Sequence, residues 1–303
     1  MTDMNLNLGP CLFNWKADDW RDFYFKMADV EALNRIYLGE VICSKRLPFY
    51  NDVMLEVIER LKSSGKEVVL STLALIMNKR EMRSVEELAQ IEGFMIEGND
   101  VSTLSLLAEK PHMVGPYVNA YNEGTLDYIA NNGAVCVSLP VELSFESIKI
   151  LAAHSNVELE VQVFGKLPLA VSARCYHARH NGLSKDNCQF VCDKDYDGMD
   201  LDTLDDEPFL AVNGIQTMSY SYANLLGELD LLRQAGVHHC RLSPHSCNME
   251  VVANAFRDVL EDKINLAEGY AILEEQVGNY PFSNGYFYGV EGVQAKGILA
   301  GAA

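Results

Sequence analysis

The sequence predicts an α/β fold of the closed (β/α)8 kind, and three observations predict it. Strand-like runs centred on Leu6, Tyr37, Val69 and Val101 recur at steps of 31, 32 and 32 residues. That is the length of one strand–helix unit. Four more strand candidates follow, at Met113–Asn119, Ala134–Leu139, Val157–Phe164 and Val237–Leu242, bringing the total to eight. Amphipathic stretches of helical period lie between them. The pattern is that of a TIM-type barrel. A doubly wound open sheet is the alternative way to arrange the same units.

The elements follow in order. Trp20, Phe23, Met27 and Val30 share one helix face in the first unit. Tyr50, Val53, Met54, Val57, Ile58 and Leu61 do so in the second, which is the clearest helix of the chain. Helices fit at Gly124–Asn131 and Leu143–Ala152. Tyr222–Gln234 reads as another, with Leu225, Leu226, Leu229 and Leu232 on one side. A last one runs from Asn248 to about Ile264, through Met249, Val252, Phe256, Val259 and Leu260. Residues 174–208 break this rhythm. They hold no long apolar period, carry three cysteines and end in the acidic run DKDYDGMDLDTLDDEP. This is the pattern of a functional insertion between the seventh and eighth strands of one barrel-like domain spanning 1–303. The tail after Tyr280 is rich in glycine and aromatics, has no clear helix, and is expected to be loose in its last dozen residues.

Composition narrows the function. The 303 residues are 49% hydrophobic and 22% charged, a globular composition. Against 24 Lys and Arg stand 43 Asp and Glu, a formal net charge of −19. A domain so acidic is repelled by polyanions, which argues against a general nucleic-acid binder. The start, MTDMNLNLGP, has neither the basic nor the apolar part of a secretory leader. The longest uncharged run, Pro208–Gly227, holds Asn213, Gln216, Thr217, Ser219, Ser221 and Asn224, too polar for a lipid core. A cytoplasmic protein with reduced thiols and no membrane span is expected.

The chain has eight cysteines. Cys175, Cys188 and Cys192 form C-x12-C-x3-C within a polar segment. Thiolates so clustered suit zinc or an iron–sulfur cluster better than three buried apolar residues. No tight C-x2-C knuckle is present. Asp195 stands where the radical-SAM spacing would need its third cysteine. A fourth ligand is required. Cys43, in GEVICSKR just after the second strand, is the best placed candidate. In a barrel it shares the C-terminal mouth with the segment after the seventh strand. Cys11, after the first strand, is the rival by the same argument, and Cys247 is a weaker third. Cys136 and Cys240 fall inside strands and read as core.

The stretch ELEVQVFGKLPLAVSARCYHARHNGLSKDNCQFVC, followed by PFLAVNGIQTMSYSYANLL, resembles the collagenase-like (U-type) peptidase family, in its ubiquinone-biosynthesis branch. The resemblance runs from LGPCLFNW to NGYFYG. Glu160, Gly165, Ser172 and Cys175 match the wider signature, while Gln162, Pro168 and Ala173 depart from it at a Phe, a Cys and a Gly. In that branch the cluster cysteines are one early Cys plus a C-x12-C-x3-C group. The resemblance thus implies a [4Fe-4S] cluster on Cys43, Cys175, Cys188 and Cys192, and it selects Cys43 over Cys11. It further implies oxygen-independent (anaerobic) hydroxylation of the ubiquinone ring, as a heterodimer with a UbiU-like paralogue. Prephenate is the implied hydroxyl donor, and a UbiT-like lipid-binding protein the implied accessory. Peptidase activity is not expected, since G-x-S-x-G and H-E-x-x-H are both missing. Two other readings stand beside this one. One is an RNA (tRNA or rRNA) hydroxylation factor, which the charge disfavours. The other is a non-catalytic structural subunit.

Arg174 and Arg179, with His177, His180 and Lys185, place cations among the cysteines. A forked guanidinium suits a dicarboxylate such as prephenate, so Arg174 and Arg179 are the candidate substrate-binding residues. DKDYDG, Asp193–Gly198, imitates the start of a calcium loop, but Leu204 stands where the bidentate glutamate belongs. A polar hairpin is the better reading. His238 and His239 lie on the eighth strand, where only one can face inward, and His245 follows at the mouth. No G-x-G-x-x-G follows a strand and no P-loop is present.

Overall fold

The computed structural model describes residues 4–297. Residues 1–3 and 298–303, which include the first residues of MTDMNLNLGP and part of the tail expected to be loose, lie outside the described residues. Seven parallel strands succeed one another: β1 (Asn5–Leu8), β2 (Arg35–Leu38), β3 (Glu67–Ser71), β4 (Met95–Gly98), β5 (His112–Val114), β6 (Ala134–Ser138) and β7 (Glu158–Val171). The chain then leaves the barrel as an antiparallel extension, β8 (Met199–Asp202), β9 (Pro208–Asn213) and β10 (Gln216–Asn224). It returns as β11 (His239–Leu242), which pairs in parallel with both β7 and β1 and closes an eight-stranded barrel. The fold is the expected (β/α)8 barrel.

The helices between the strands are α1 (Ala17–Ala28), α2 (Leu47–Ser63), α3 (Lys79–Leu88), α4 (Val101–Leu107), α5 (Glu123–Asn131) and α6 (Phe145–His154). The short α7 (Tyr176–His180) lies in the extension. Then come α8 (Leu229–Ala235), α9 (Met249–Leu260) and α10 (Leu266–Val277), and a two-residue strand, β12 (Phe282–Ser283), pairs with β10. Among the described residues no helix is long and apolar enough to cross a membrane.

Three expectations are corrected. Val101 opens α4 instead of centring the fourth strand, because the Asp100 side chain accepts from Ser102 N–H and caps a helix there. Tyr222–Asn224 ends β10, so the helix expected over Tyr222–Gln234 shrinks to α8. The helix expected to reach Ile264 stops at Leu260, and a separate helix starts at a capping box made by Asn265 and Glu268.

Strand alternation divides the core. Leu6, Ile36, Val68, Ile96, Val137 and Leu159 point outward and pack under the helices. Tyr37, Val69, Met113 and Cys136 form a small cluster apart from that layer, on the alternate strand positions. Beside them the same positions carry charge, with Glu97, Glu160 and Arg241 all buried. A barrel interior this polar must satisfy its charges internally.

Gly165 turns β7 from barrel into extension. Up to Phe164 the strand pairs in parallel with β11; from Phe164 to Val171 it pairs antiparallel with β10. Gly165 has φ +109, and a Cβ there would lie 2.7 Å from Ser243 Cβ. Only glycine fits that bend without strain.

Candidate functional site

The site lies where the loop after β2 meets the segment after β7. The amides of Ile42 and Cys43 both donate to Glu40 Oε1 at 2.8 Å, which fixes the loop carrying Cys43. Cys175 sits at the N-cap of α7, and its Sγ accepts from Ala178 N–H at 3.4 Å. Cys192 lies in a 3-10 turn, Val191–Lys194, and accepts from Asn14 Nδ2 at 3.3 Å. Cys43, Cys175, Cys188 and Cys192 line one pocket. All four are free thiols. Burial pushes the Cys43 and Cys175 thiols up; Arg46 near Cys43, and the Ala178 amide at Cys175, act against it.

Arg46 supplies a buried charge at this pocket, which Lys45 and Lys185 also line. Its side chain is only 1% exposed. It donates to Leu12 O and to Asn213 Oδ1, both at 2.8 Å, and stands 3.9 Å from Glu40. Burial opposes its charge, yet Glu40, Cys192 and Cys43 outweigh that and raise its pKa. Its Nε has no partner among the described residues. The buried Arg46 guanidinium lowers the Cys43 thiol pKa and so offsets part of the cost of its burial. His177 also lines the pocket; its Nε2 pairs with Asp195 Oδ2 at 2.7 Å, and its Nδ1 has no partner among the described residues.

The spacing of the sulfurs bears on what fits. Among the described residues, the one set of three ligand-type side chains with donor atoms all within 4.8 Å is Cys136, Glu158 and His239. No three of the pocket cysteines therefore have their sulfurs all within 4.8 Å of one another. A single tetrahedral metal with bonds of about 2.3 Å would need sulfurs about 3.8 Å apart. Four thiols lining one pocket, with a buried cation beside them, are a donor set that suits a thiolate-bound metal centre, whether one zinc ion or an iron–sulfur cluster.

The other expected residues are placed as follows. Cys11 is buried and Cys247 half-buried, and neither lines the pocket. Arg174 and Arg179 are exposed and do not line it, although Arg174 directly precedes Cys175. Lys185 does line it. Within Asp193–Gly198 two of the three carboxylates are engaged by protein: Asp195 by His177, and Asp197 by Ser246, whose Oγ donates at 2.6 Å. His245 is fully buried, with Nδ1 3.0 Å from Ser243 O, and reads as part of the frame. Pro168 lines a second, smaller pocket at the barrel mouth, beside Glu97, Asn99, Gln162 and Arg241.

Sequence reasoning missed Asn14, Glu40 and Arg46. Arg46 had a signal, since CSKR puts a guanidinium three residues after the early cysteine. The Cys136, Glu158 and His239 set lies at the opposite end of the barrel. Arg35 Nη1 is 3.9 Å from Cys136 Sγ, and His239 Nε2 pairs with Glu158 Oε2 at 2.9 Å. A cation already stands there, so the cluster reads as an ion-pair network.

Several solved structures are similar to the chain. A truncated 3-deoxy-D-arabino-heptulosonate 7-phosphate synthase from Thermotoga maritima is 12% identical, with 88% of each chain covered and a TM-score of 0.46. Dihydropteroate synthase from Thermus thermophilus is 12% identical over 86% of this chain and 93% of that one, at TM-score 0.43. Tryptophan synthase from Pyrococcus furiosus is 11% identical over 90% and 98%, at 0.39. Likeness at this level carries no functional argument, and the barrel rests on its own strand pairing. The model of peptidase family U32 matches residues 19–296, nearly the whole barrel and the cysteine segment with it, and the chain belongs to that family.

Proposed function

We propose that this chain is a UbiV-like iron–sulfur subunit. It acts with a UbiU-like paralogue in the oxygen-independent hydroxylation of the ubiquinone ring, prephenate providing the hydroxyl oxygen. A UbiT-like protein would deliver the apolar intermediates. One observation carries the reading: Cys43 and the C-x12-C-x3-C group, far apart in sequence, line the same pocket.

Those four residues would hold a [4Fe-4S] cluster, which supplies one-electron redox chemistry when bound. The chain's own groups have definable parts. Glu40 holds the Cys43 loop through two amides. Arg46 offsets thiolate charge. Asn14 and the Ala178 amide donate to sulfur, which tunes potential and fixes ligand orientation.

The test is anaerobic purification followed by assays of iron and acid-labile sulfide. About four of each per chain are expected, and Cys175→Ala should lose both. Full iron and sulfide in that variant, or a colourless zinc protein, overturns the cluster. Restoration of ring hydroxylation by a folded, cluster-free variant would overturn the redox role alone.

A further inference from the structure

The pocket at the barrel mouth, where Pro168 stands, collects polar groups that the protein leaves unmatched. They come from the C-terminal ends of several staves, where barrels of this kind build their binding sites. Gln162 on β7 donates from Nε2 to Phe164 O at 3.4 Å and to Lys166 O at 3.3 Å, which leaves Oε1 as a spare acceptor. Asn99, just past β4, donates from Nδ2 to Thr72 O and to Glu97 Oε2, and its Oδ1 has no partner among the described residues. Arg241 on β11 uses Nε for Glu160 and Nη2 for Glu97, which leaves Nη1 to donate. Tyr117, after β5, accepts from Gln216 Nε2 at 2.7 Å and keeps its own proton to donate. Asn99, Gln162 and Arg241 are only 1%, 9% and 5% exposed. Native interiors rarely leave so many buried polar groups unmatched, so a guest with matching groups is expected here.

The arrangement says what kind of guest. Asn99 and Arg241 hold the two oxygens of one carboxylate, Glu97, so a spare acceptor and a spare donor stand side by side. Charge excludes ions. Arg241 is shared between Glu97 and Glu160, which leaves one negative charge in excess and repels an anion. An ammonium would meet the Arg241 guanidinium and leave its Nη1 unmatched. The pocket measures about 20 Å³, enough for about one or two water-sized groups. Next to it lies a chamber of about 200 Å³ that shares Pro116, Tyr117 and Pro168 with it and has Val141 and Leu169 in its wall.

We propose that the barrel mouth binds a small uncharged molecule with a carboxamide-like head and a short apolar body. The head's carbonyl accepts from Arg241 and Tyr117, and its N–H groups donate to Asn99 and Gln162. The body lies between the prolines in the outer chamber. The inference goes beyond the proposed function and needs neither the cluster nor a partner; a dicarboxylate such as prephenate is among the molecules this pocket rejects.

The test is titration of the anaerobically purified chain with benzamide, benzoate and benzylamine, three probes of one shape and different charge, followed by ligand-observed NMR. Benzamide should bind saturably, and the two ions about tenfold more weakly or worse. Gln162→Met, which removes an acceptor, and Ala170→Trp, which fills the outer chamber from an exposed position, should each weaken benzamide about tenfold. Ile150→Trp, on an exposed part of α6, should change nothing. Cys175→Ala should bind as the parent does, so failure of the cluster and failure of this site are read separately. Benzoate or benzylamine binding as tightly as benzamide overturns the assignment of the head. Absence of saturable benzamide binding would mean that water alone satisfies these groups. Binding untouched by both variants in folded protein would place it elsewhere, and either result overturns the proposal.

Discussion

Arg241 on β11 and Glu160 on β7 are paired inside the barrel, with Nε 2.6 Å from Oε2. The same guanidinium reaches Glu97 Oε1 with Nη2 at 2.6 Å and lies 4.1 Å from the centre of the Tyr37 ring. One cation thus serves two buried carboxylates. Asn7, Tyr37, Ser71 and Asn99 donate to the remaining carboxylate oxygens. Burial opposes the charge on Glu160, but Arg241 and the Asn7 bond outweigh it and hold its carboxyl below the usual range. Arg241→Met leaves two buried charges without their cation. Denaturant unfolding at pH 7 should show a loss of about 3–5 kcal/mol. A loss below about 1 kcal/mol would mean that the neutral donors suffice.

Arg46 and Glu40 should be energetically coupled. They stand 3.9 Å apart and each is about 1% exposed. Arg46→Met should cost about 3 kcal/mol, chiefly by stranding Glu40. Adding Glu40→Gln should recover part of it. A double-mutant cycle on the apo-protein is expected to give a coupling of about 1–3 kcal/mol; strict additivity would show that Arg46 acts through Leu12 and Asn213 instead.

Asn14 is expected to tune potential more than occupancy. Its amide donates to Cys192 Sγ, and such bonds favour the reduced, more negative cluster. With the proposed cluster bound, Asn14→Leu would keep its iron but shift the midpoint potential downward in an anaerobic redox titration. An unchanged or higher potential would refute that role.

Glu228 sets a pH dependence. Burial pushes its carboxyl above the usual range, although Tyr288 and Asn284 donate to Oε1 at 3.0 Å and pull the other way. Oε2 has no partner among the described residues. Because the folded pKa is raised, the contribution of this group is most favourable below the unfolded carboxyl pKa of about 4.3. It is lost as pH rises through the folded value. Glu228→Gln should therefore gain melting temperature relative to the parent between pH 5 and pH 8, and a gain that shrinks with rising pH would contradict the assignment.

Gly165→Ala should destabilise the chain by about 2 kcal/mol or more. The cost combines a backbone at φ +109 with a Cβ 2.8 Å from His245 Cε1. Thermal unfolding measures it. A neutral result would mean that the bend in β7 relaxes.

Much of the barrel was legible because strand runs such as IYL and AVCVS are largely apolar and bounded by turns. The fourth strand was not, since MIEG is short and half polar, and a cap at Asp100 hides the boundary. That displacement also concealed Glu97 as an interior residue. The strands β8 to β10 escaped because their alternation mixes acidic and aromatic side chains over a partly exposed surface. Of the site, the cysteines were legible from spacing and resemblance. Arg174 and Arg179 were chosen as guanidinium groups among the cysteines; both are exposed and neither lines the pocket, Arg174 standing just before α7 and Arg179 within it. Arg46 is defined by contacts to Leu12 and Asn213, partners that only the closed barrel brings near.

The 14 residues of β7 run without interruption from barrel to extension. The cysteine segment is consequently no hanging loop. One end grows out of a barrel stave and the other comes back through β10, which is laced to that stave. Length changes that ordinary surface loops absorb would be transmitted here as a slip of one residue along a ladder, reversing which side chains face which way. Residues between Gly165 and Val171 should accordingly admit substitution far more readily than insertion or deletion.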